Sequence, residues 1–286
     1  MFKPIMLLFA TACTSLVIID KPLTQVHEVT IGGYQGIAME PFISRDGSYL
    51  LFNNSNDPAS NTDIFYALRK NDFSYDYVGP LGGINTPSLE GTPTMDLQGK
   101  IFFVSTRSYA ATACTIYSGQ FDQGNVSQVQ VVDSICRHEP GIVNFDVDID
   151  PAGTFMTFVD SQFGANQQPQ TAKLVMAQSS GTQFVRLANS DAILKTVNAG
   201  VLQYAPALSA DRLTLWFTRL AALSGTDFPQ IWQAKRSTPS EPFGVPVRLE
   251  GLGDFVEAPA LSADEKLLYF HRRVGSGYRI FAVSVN

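Results

Sequence analysis

The chain has 286 residues, 45% hydrophobic and 16% charged, with a formal net charge of −6. That composition excludes a disordered polymer, and the acidic balance argues against electrostatic capture of nucleic acid. Its 20 Phe, 22 Gly and 16 Pro favour many short strands joined by tight turns, and all-β domains of this length are often single.

The chain opens with MFKPIMLLFATAC: one Lys, an apolar run from Pro4 to Ala12, and small residues before Cys13. This is the pattern of an export signal. Ala10 and Ala12 satisfy the small-x-small rule of ordinary cleavage. The same residues before Cys13 also fit a lipoprotein signal that leaves Cys13 lipidated, although Leu usually stands where Ala10 does. An uncleaved anchor is a third reading, but the run Pro4 to Ile19 is shorter than the ~20 residues that cross a bilayer. Residues 1–20 are thus read as a signal region and 21–286 as one domain. The expected location is the bacterial periplasm or the outer membrane, with membrane contact only through a lipid anchor.

A strand pattern, LTQVHEVTI at 23–31, precedes a series of repeats. In chain order these are MEPFISRDGSYLLF, GTPTMDLQGKIFF, FDVDIDPAGTFMTF, YAPALSADRLTLWF and EAPALSADEKLLYF, ending at Phe52, Phe103, Phe158, Phe217 and Phe270. Each reads as a hairpin. A short strand enters, and Ser44, Asp96, Asp150, Ser209 or Ser262 caps a turn through its side-chain oxygen. Gly47, Gly99 or Gly153 supplies positive φ in three copies, and an alternating apolar strand leaves. Third strands follow: DIFYAL, TIYSGQ, KLVMAQ, QIWQAK and YRIFAV. A less regular fourth strand completes each unit. Helical periodicity is weak, and NSDAILKTVNAG holds one helical turn at most. Four antiparallel strands per ~50 residues is the size of a propeller blade. The expectation is an all-β, five-bladed β-propeller with repeats beginning near 38, 90, 144, 203 and 256. The last repeat stops after its third strand, so the N-terminal strand is expected to complete it and close the ring.

EPFISRDGSYLLF followed by TDIFYAL is similar to the TolB-type (WD40-like) β-propeller repeat, P-x-x-S-x-D-G, then a strand, then a D-I-Y-type strand. The resemblance covers roughly residues 38–286. It implies a stand-alone propeller without the sixth blade and the N-terminal α/β domain of the best-known form, and it says little about function.

Loops that enter the inner strands (33–40, 84–92, 137–146, 198–204, 253–258) and loops joining second to third strands (53–62, 105–113, 160–171, 219–229, 272–277) should share one rim, where propellers bind partners. Acids cluster at the entries, Glu40, Glu90, Asp146, Asp148 and Glu257, and bases follow the second strands at Arg107, Arg219, Arg272 and Arg273. Arg137 and His138 stand in an entry loop. The expected ligand site is Glu40, Glu90, Asp146 and Glu257, with Arg107, Arg219, Arg272 and His138 around them. Polar lining of a water-filled channel accounts for the same pattern. Asp146, Asp148 and Asp150 alternate like the start of a calcium loop, but Pro151 stands where Gly is usual, and Asp150 is also the turn cap. If Cys13 is lipidated, Cys114 and Cys136 remain to form a disulfide or to stay as buried thiols. No Cys/His spacing indicates zinc. No G-x-S-x-G elbow, P-loop or dinucleotide fingerprint occurs.

These features favour an exported, monomeric cell-envelope module that binds a protein or ligand, without cofactor. The alternative is a carbohydrate-active or small-ligand-binding propeller using an acidic funnel. If the chain is an enzyme, it is a glycoside hydrolase using paired carboxylates.

Overall fold

The computed structural model describes residues 25–57, 60–223 and 227–285; the leader and Cys13 lie outside them. Among the described residues no helix is long and apolar enough to cross a membrane. The strands fall into five successive units. Unit 1 comprises Met39–Ile43, Tyr49–Asn53, Ile64–Asn71 and Ser74–Pro80. Unit 2 is Glu90–Met95, Lys100–Ser105, Ile116–Asp122 and Asn125–Val131. Unit 3 is Ile142–Ile149, Phe155–Phe163, Pro169–Ser180 and Gln183–Arg186, and unit 4 is Leu202–Leu208, Thr214–Leu220, Gln230–Lys235 and Val247–Arg248. A single parallel pair, Ala172 with Leu202, links these two into one sheet. Unit 5 has Val256–Leu261, Leu267–Val274 and Gly277–Ser284, and its fourth strand is His27–Glu28.

The turn chemistry read from the sequence is the chemistry that builds each first hairpin. Ser44, Ser209 and Ser262 accept backbone N–H bonds from Tyr49, Thr214 and Leu267 at 2.9–3.0 Å. Asp96 and Asp150 accept from Lys100 (2.8 Å) and Thr154 (2.7 Å). Gly47, Gly99 and Gly153 have φ of 75°, 78° and 70°; where Gly is missing, Arg212 and Glu265 adopt 62° and 57°.

The recurrent Pro has a structural reason too. Pairing of the first two strands slips after Met39, Gly91, Phe145, Tyr204 and Glu257. The next residue in each unit, Glu40, Thr92, Asp146, Ala205 or Ala258, has φ between 48° and 55°. The bulge leaves a backbone N–H without a ladder partner, so Pro41, Pro93, Pro206 and Pro259 fit there without losing a hydrogen bond.

Apolar side chains pack between units rather than within them. One core joins units 1 and 2 through Phe42, Leu51 and Phe103. Phe102, Val147 and Phe158 join units 2 and 3, and Leu174, Leu208 and Phe217 join units 3 and 4. Trp216, Phe270 and Phe281 join units 4 and 5. Phe52, Tyr75, Tyr269 and Val29 join unit 5 back to unit 1.

The N-terminal segment departs from the single strand expected over 23–31. His27 and Glu28 pair antiparallel with Ala282 and Phe281 of unit 5. Thr30–Gly32 instead pairs parallel with the outer strand of unit 1. Buried Val29 lies in the apolar core shared by these two units, and that anchor divides the segment into two short strands. Ile31 therefore belongs to unit 1, not to the fourth strand of unit 5.

Candidate functional site

The five inner strands line a central space through Pro41, Pro93, Val147, Pro206 and Pro259, with Arg45 and Asp148 among them. Its free volume is about 50 Å³, room for a few waters. Asp148 ties four units together. It accepts from Arg45 Nη2 (3.0 Å) of unit 1, Thr94 Oγ1 (3.4 Å) of unit 2 and the Leu208 N–H (2.8 Å) of unit 4.

Glu40, Asp146 and Glu257 come together at the bulges, joined by two residues that the sequence reading did not select, Tyr204 and His271. Tyr204 donates its hydroxyl to Glu257 Oε1. The Glu40 N–H donates to His271 Nδ1 (3.1 Å), so the imidazole proton sits on Nε2 and points at Glu257 Oε2, 3.2 Å away. Asn56 donates to Glu40 (2.7 Å), and the Ala205 N–H donates to Asp146 (3.0 Å). Glu40, Asp146 and His271 are buried.

The electrostatics follow from that burial. Glu40 is pushed up to about 8, by desolvation first and then by the charge of Asp146. Asp146 is pushed up to about 7, mainly by desolvation, with Glu257 adding to it and the Ala205 N–H opposing it. Desolvation also holds the Tyr204 hydroxyl well above its ordinary value. For His271, desolvation acts downward, and the bond to Glu257 and the nearby carboxylates outweigh it.

His271 has counterparts that reveal its first task. It directly follows Phe270, as Asn53 follows Phe52 and Thr218 follows Phe217. Asn53 accepts the Thr92 N–H (3.3 Å) of unit 2, and Thr218 accepts the Ala258 N–H (3.0 Å) of unit 5. All three latch the bulge of the next unit. Val104 and Val159 at the equivalent positions cannot, and for unit 4 Asp146 takes over by accepting the Ala205 N–H.

Other expected site residues lie elsewhere. Glu90 stands two residues before its bulge, fully buried, and accepts from the Thr86 N–H (2.7 Å), Thr86 Oγ1 (2.8 Å), Ser105 Oγ (2.7 Å) and Arg107 (3.2 Å). Arg107, Arg219 and Arg272 do not ring Glu40, Asp146 and Glu257; Arg107 pairs instead with Glu90. All three arginines bond the backbone carbonyls of Ile84, Val197 and Leu252 and stack on Tyr117, Trp232 and Phe281. His138 sits beside Thr112 and Cys114. Asp146, Asp148 and Asp150 do not form a calcium cage: Asp148 is committed to Arg45, and Asp150 caps its turn. Cys114 and Cys136 form a disulfide with Cα atoms 5.5 Å apart.

An aromatic line runs outward from this cluster. Tyr278 meets His271 edge-on at 5.2 Å, Phe255 lies 5.8 Å from Tyr278, and Phe228 lies 5.9 Å from Phe255. Arg273 covers Phe255 at 5.5 Å, and Phe228 is 48% exposed. These residues belong to three of the rim loops or their borders, yet in the sequence they are isolated aromatics with nothing to group them.

Comparison with solved structures gives the architecture a context. The chain resembles a glycoside hydrolase with a TM-score of 0.61 at 10% identity, over 93% of this chain and 92% of that one. It resembles a family 117 glycoside hydrolase from the marine bacterium Zobellia galactanivorans at 0.56 and 9% identity, over 91% and 90%. A putative TolB from Agrobacterium tumefaciens gives 0.51 at 14% identity, over 91% and 83%. At such identities the likeness is one of fold. The fold is all-β and propeller-like. No family profile and no curated protein sequence matches the chain.

Proposed function

We propose that this chain is an exported cell-envelope module, a five-bladed propeller of the TolB-repeat type closed by its N-terminal segment, that binds a protein or ligand partner through its rim. The units packed in cyclic order, with His271 of unit 5 latching Glu40 of unit 1, support the closed ring. The observation that carries the function is the contrast between the axis and the rim. Glu40 and Asp146 are buried, Glu257 is nearly so, and all three are bonded to protein groups above a space that holds only a few waters. The Phe228–Phe255–Tyr278 line with Arg273 reaches solvent, and aromatic and Arg side chains are the usual anchors of binding surfaces. Export through the leader, with Cys13 as a lipid anchor, is part of this proposal.

A carbohydrate-active role is the second reading. It is favoured by two buried acids, Glu40 and Asp146, that keep their protons toward neutral pH beside a third carboxyl group, Glu257, an arrangement suited to acid/base work on glycosides, and by the glycoside hydrolases among similar folds. A glycan array and an envelope extract presented to three proteins separate the two. We expect Phe228→Ala/Arg273→Ala to lose at least about tenfold in affinity for the captured partner, as for interface anchors, and Asp146→Asn/Glu257→Gln to retain it. Glycan binding or glycoside cleavage that disappears with the acid pair establishes the second reading instead.

A further inference from the structure

We infer that Cys114, Cys136, Asp133 and His138 form a zinc site that opens when the Cys114–Cys136 disulfide is reduced. No spacing in the sequence announces it, because Cys114 reaches the other three across the outer hairpin of unit 2. One donor atom from each of Cys114, Asp133 and His138 lies within 4.8 Å of the others, and among the described residues this is the only group of three or more His, Cys, Asp or Glu so arranged. Cys114 Sγ is 3.8 Å from His138 Nδ1 and 3.9 Å from Asp133 Oδ1, and His138 Nε2 is 3.6 Å from the same oxygen. The two separations from Asp133 Oδ1, to Cys114 Sγ and to His138 Nε2, are close to those between neighbouring ligands around an ion with metal–ligand bonds of about 2.0–2.3 Å. Cys136 Sγ, bonded to Cys114 in the oxidised chain, lies outside that group of three; once freed by reduction it is the donor assigned to the fourth position.

The imidazole is oriented for the task. His138 Nδ1 lies 3.1 Å from the Thr112 carbonyl oxygen. With the proton on Nδ1 donated there, the Nε2 lone pair is free on the side of Asp133, the arrangement that fixes a ligating histidine. Two thiolates, one imidazole and one carboxylate suit a borderline-soft divalent ion, Zn²⁺ above all. Cys114 is buried, whereas the side chains of Asp133 and His138 are 67% and 51% exposed, so the ion has an entrance from solvent.

The exchange balances. A dithiol reductant transfers two electrons and two protons to the cystine, giving two cysteine thiols and the cyclic disulfide of the reductant. Zn²⁺ then replaces the two thiol protons, which are released. Either cross-link holds the start of the third strand of unit 2 to the loop entering unit 3, so the loop keeps its tether in both redox states. The inference rests on this cluster alone and is independent of the proposed rim partner.

The test uses the whole chain, reduced with a dithiol, desalted without oxygen and titrated with Zn²⁺ against a chromophoric chelator. One ion per reduced chain, two protons released per ion, and no tight binding to the oxidised chain are expected. Co²⁺ in place of Zn²⁺ should give a thiolate-to-cobalt charge-transfer band. His138→Ala and Asp133→Ala change exposed side chains and should leave the fold intact while weakening binding, each by about 100-fold, at least the loss typical of a partner one shell further out. Cys136→Ser, which needs no reduction, should still bind more tightly than Cys136→Ser/His138→Ala. Reduced protein that unfolds, binds no ion, or binds equally with and without His138 and Asp133 overturns the inference.

Discussion

Glu40 and Asp146 hold their protons in the folded chain, up to about 8 and about 7, at pH values where the unfolded chain, with values near 4.5 and 3.8, has lost them. Their contribution to stability is greatest at acidic pH. It falls as pH rises through the interval between unfolded and folded values, and it is fully lost above about 8. Glu40→Gln/Asp146→Asn keeps an acceptor oxygen for Asn56 and Ala205 and removes the penalty of ionisation. Urea unfolding should find this variant more stable than the parent at pH 8.5, by at least about 1 kcal/mol, and near parity at pH 5. Equal stability at both pH values would mean that the acids are solvated. Glu90 responds in the opposite direction. Its carboxylate meets donors on every side, so Glu90→Gln turns an NH₂ group toward them and leaves Arg107 without its charge partner. The expected cost is about 2–4 kcal/mol, visible in the same assay.

At the level of elements, the hairpins were legible because their determinants are local. A capping Ser or Asp, a Gly three residues on and an alternating strand suffice, and all lie within a dozen residues. The glycines are not equivalent, however. A Cβ on Gly47 would meet nothing closer than the Ala263 Cβ at 3.5 Å, whereas one on Gly153 would fall 2.3 Å from Asp96 Oδ2 in the neighbouring turn. Gly47→Ala should therefore cost about 1 kcal/mol from its positive φ alone. Gly153→Ala should cost about 2 kcal/mol or more, since packing strain adds to the backbone term; thermal melts of the two variants give the comparison. The site was less legible than the hairpins. Aligning acids by their nearness to the inner strand grouped Glu90 with Glu40 and Asp146, but the bulge decides which residue faces the axis, and in unit 2 that residue is Thr92. The arginines were assigned to the rim by position. Their direction depends on aromatic partners one strand away, Trp232 for Arg219 and Phe281 for Arg272, which no local pattern reveals. His271 and Tyr204 escaped notice because each is single in its repeat, and their roles arise only when units 4, 5 and 1 meet.

At the level of the molecule, the repeats make each unit dependent on its neighbours, since the apolar faces pack between units and a unit alone leaves both faces wet. The contact between unit 5 and unit 1 is then as important as any other, although its partners are far apart in the chain. It includes the Tyr75–Tyr269 hydroxyl pair at 3.2 Å and the Tyr269 bond to the Asp72 carbonyl oxygen at 2.6 Å. Residues 27–32 span it, bonded to unit 5 through the Val29 N–H and to unit 1 through the Thr30 N–H. The most direct test of the proposed ring closure is the melting of chain 21–286 against chain 33–286. The shorter chain loses buried Val29 and its apolar contacts, two strand pairings and the cover on two sheet edges. Its melting temperature should fall by about 10 °C or more. If the two chains melt together, the ring is not held by its N-terminal segment and the account of closure is wrong.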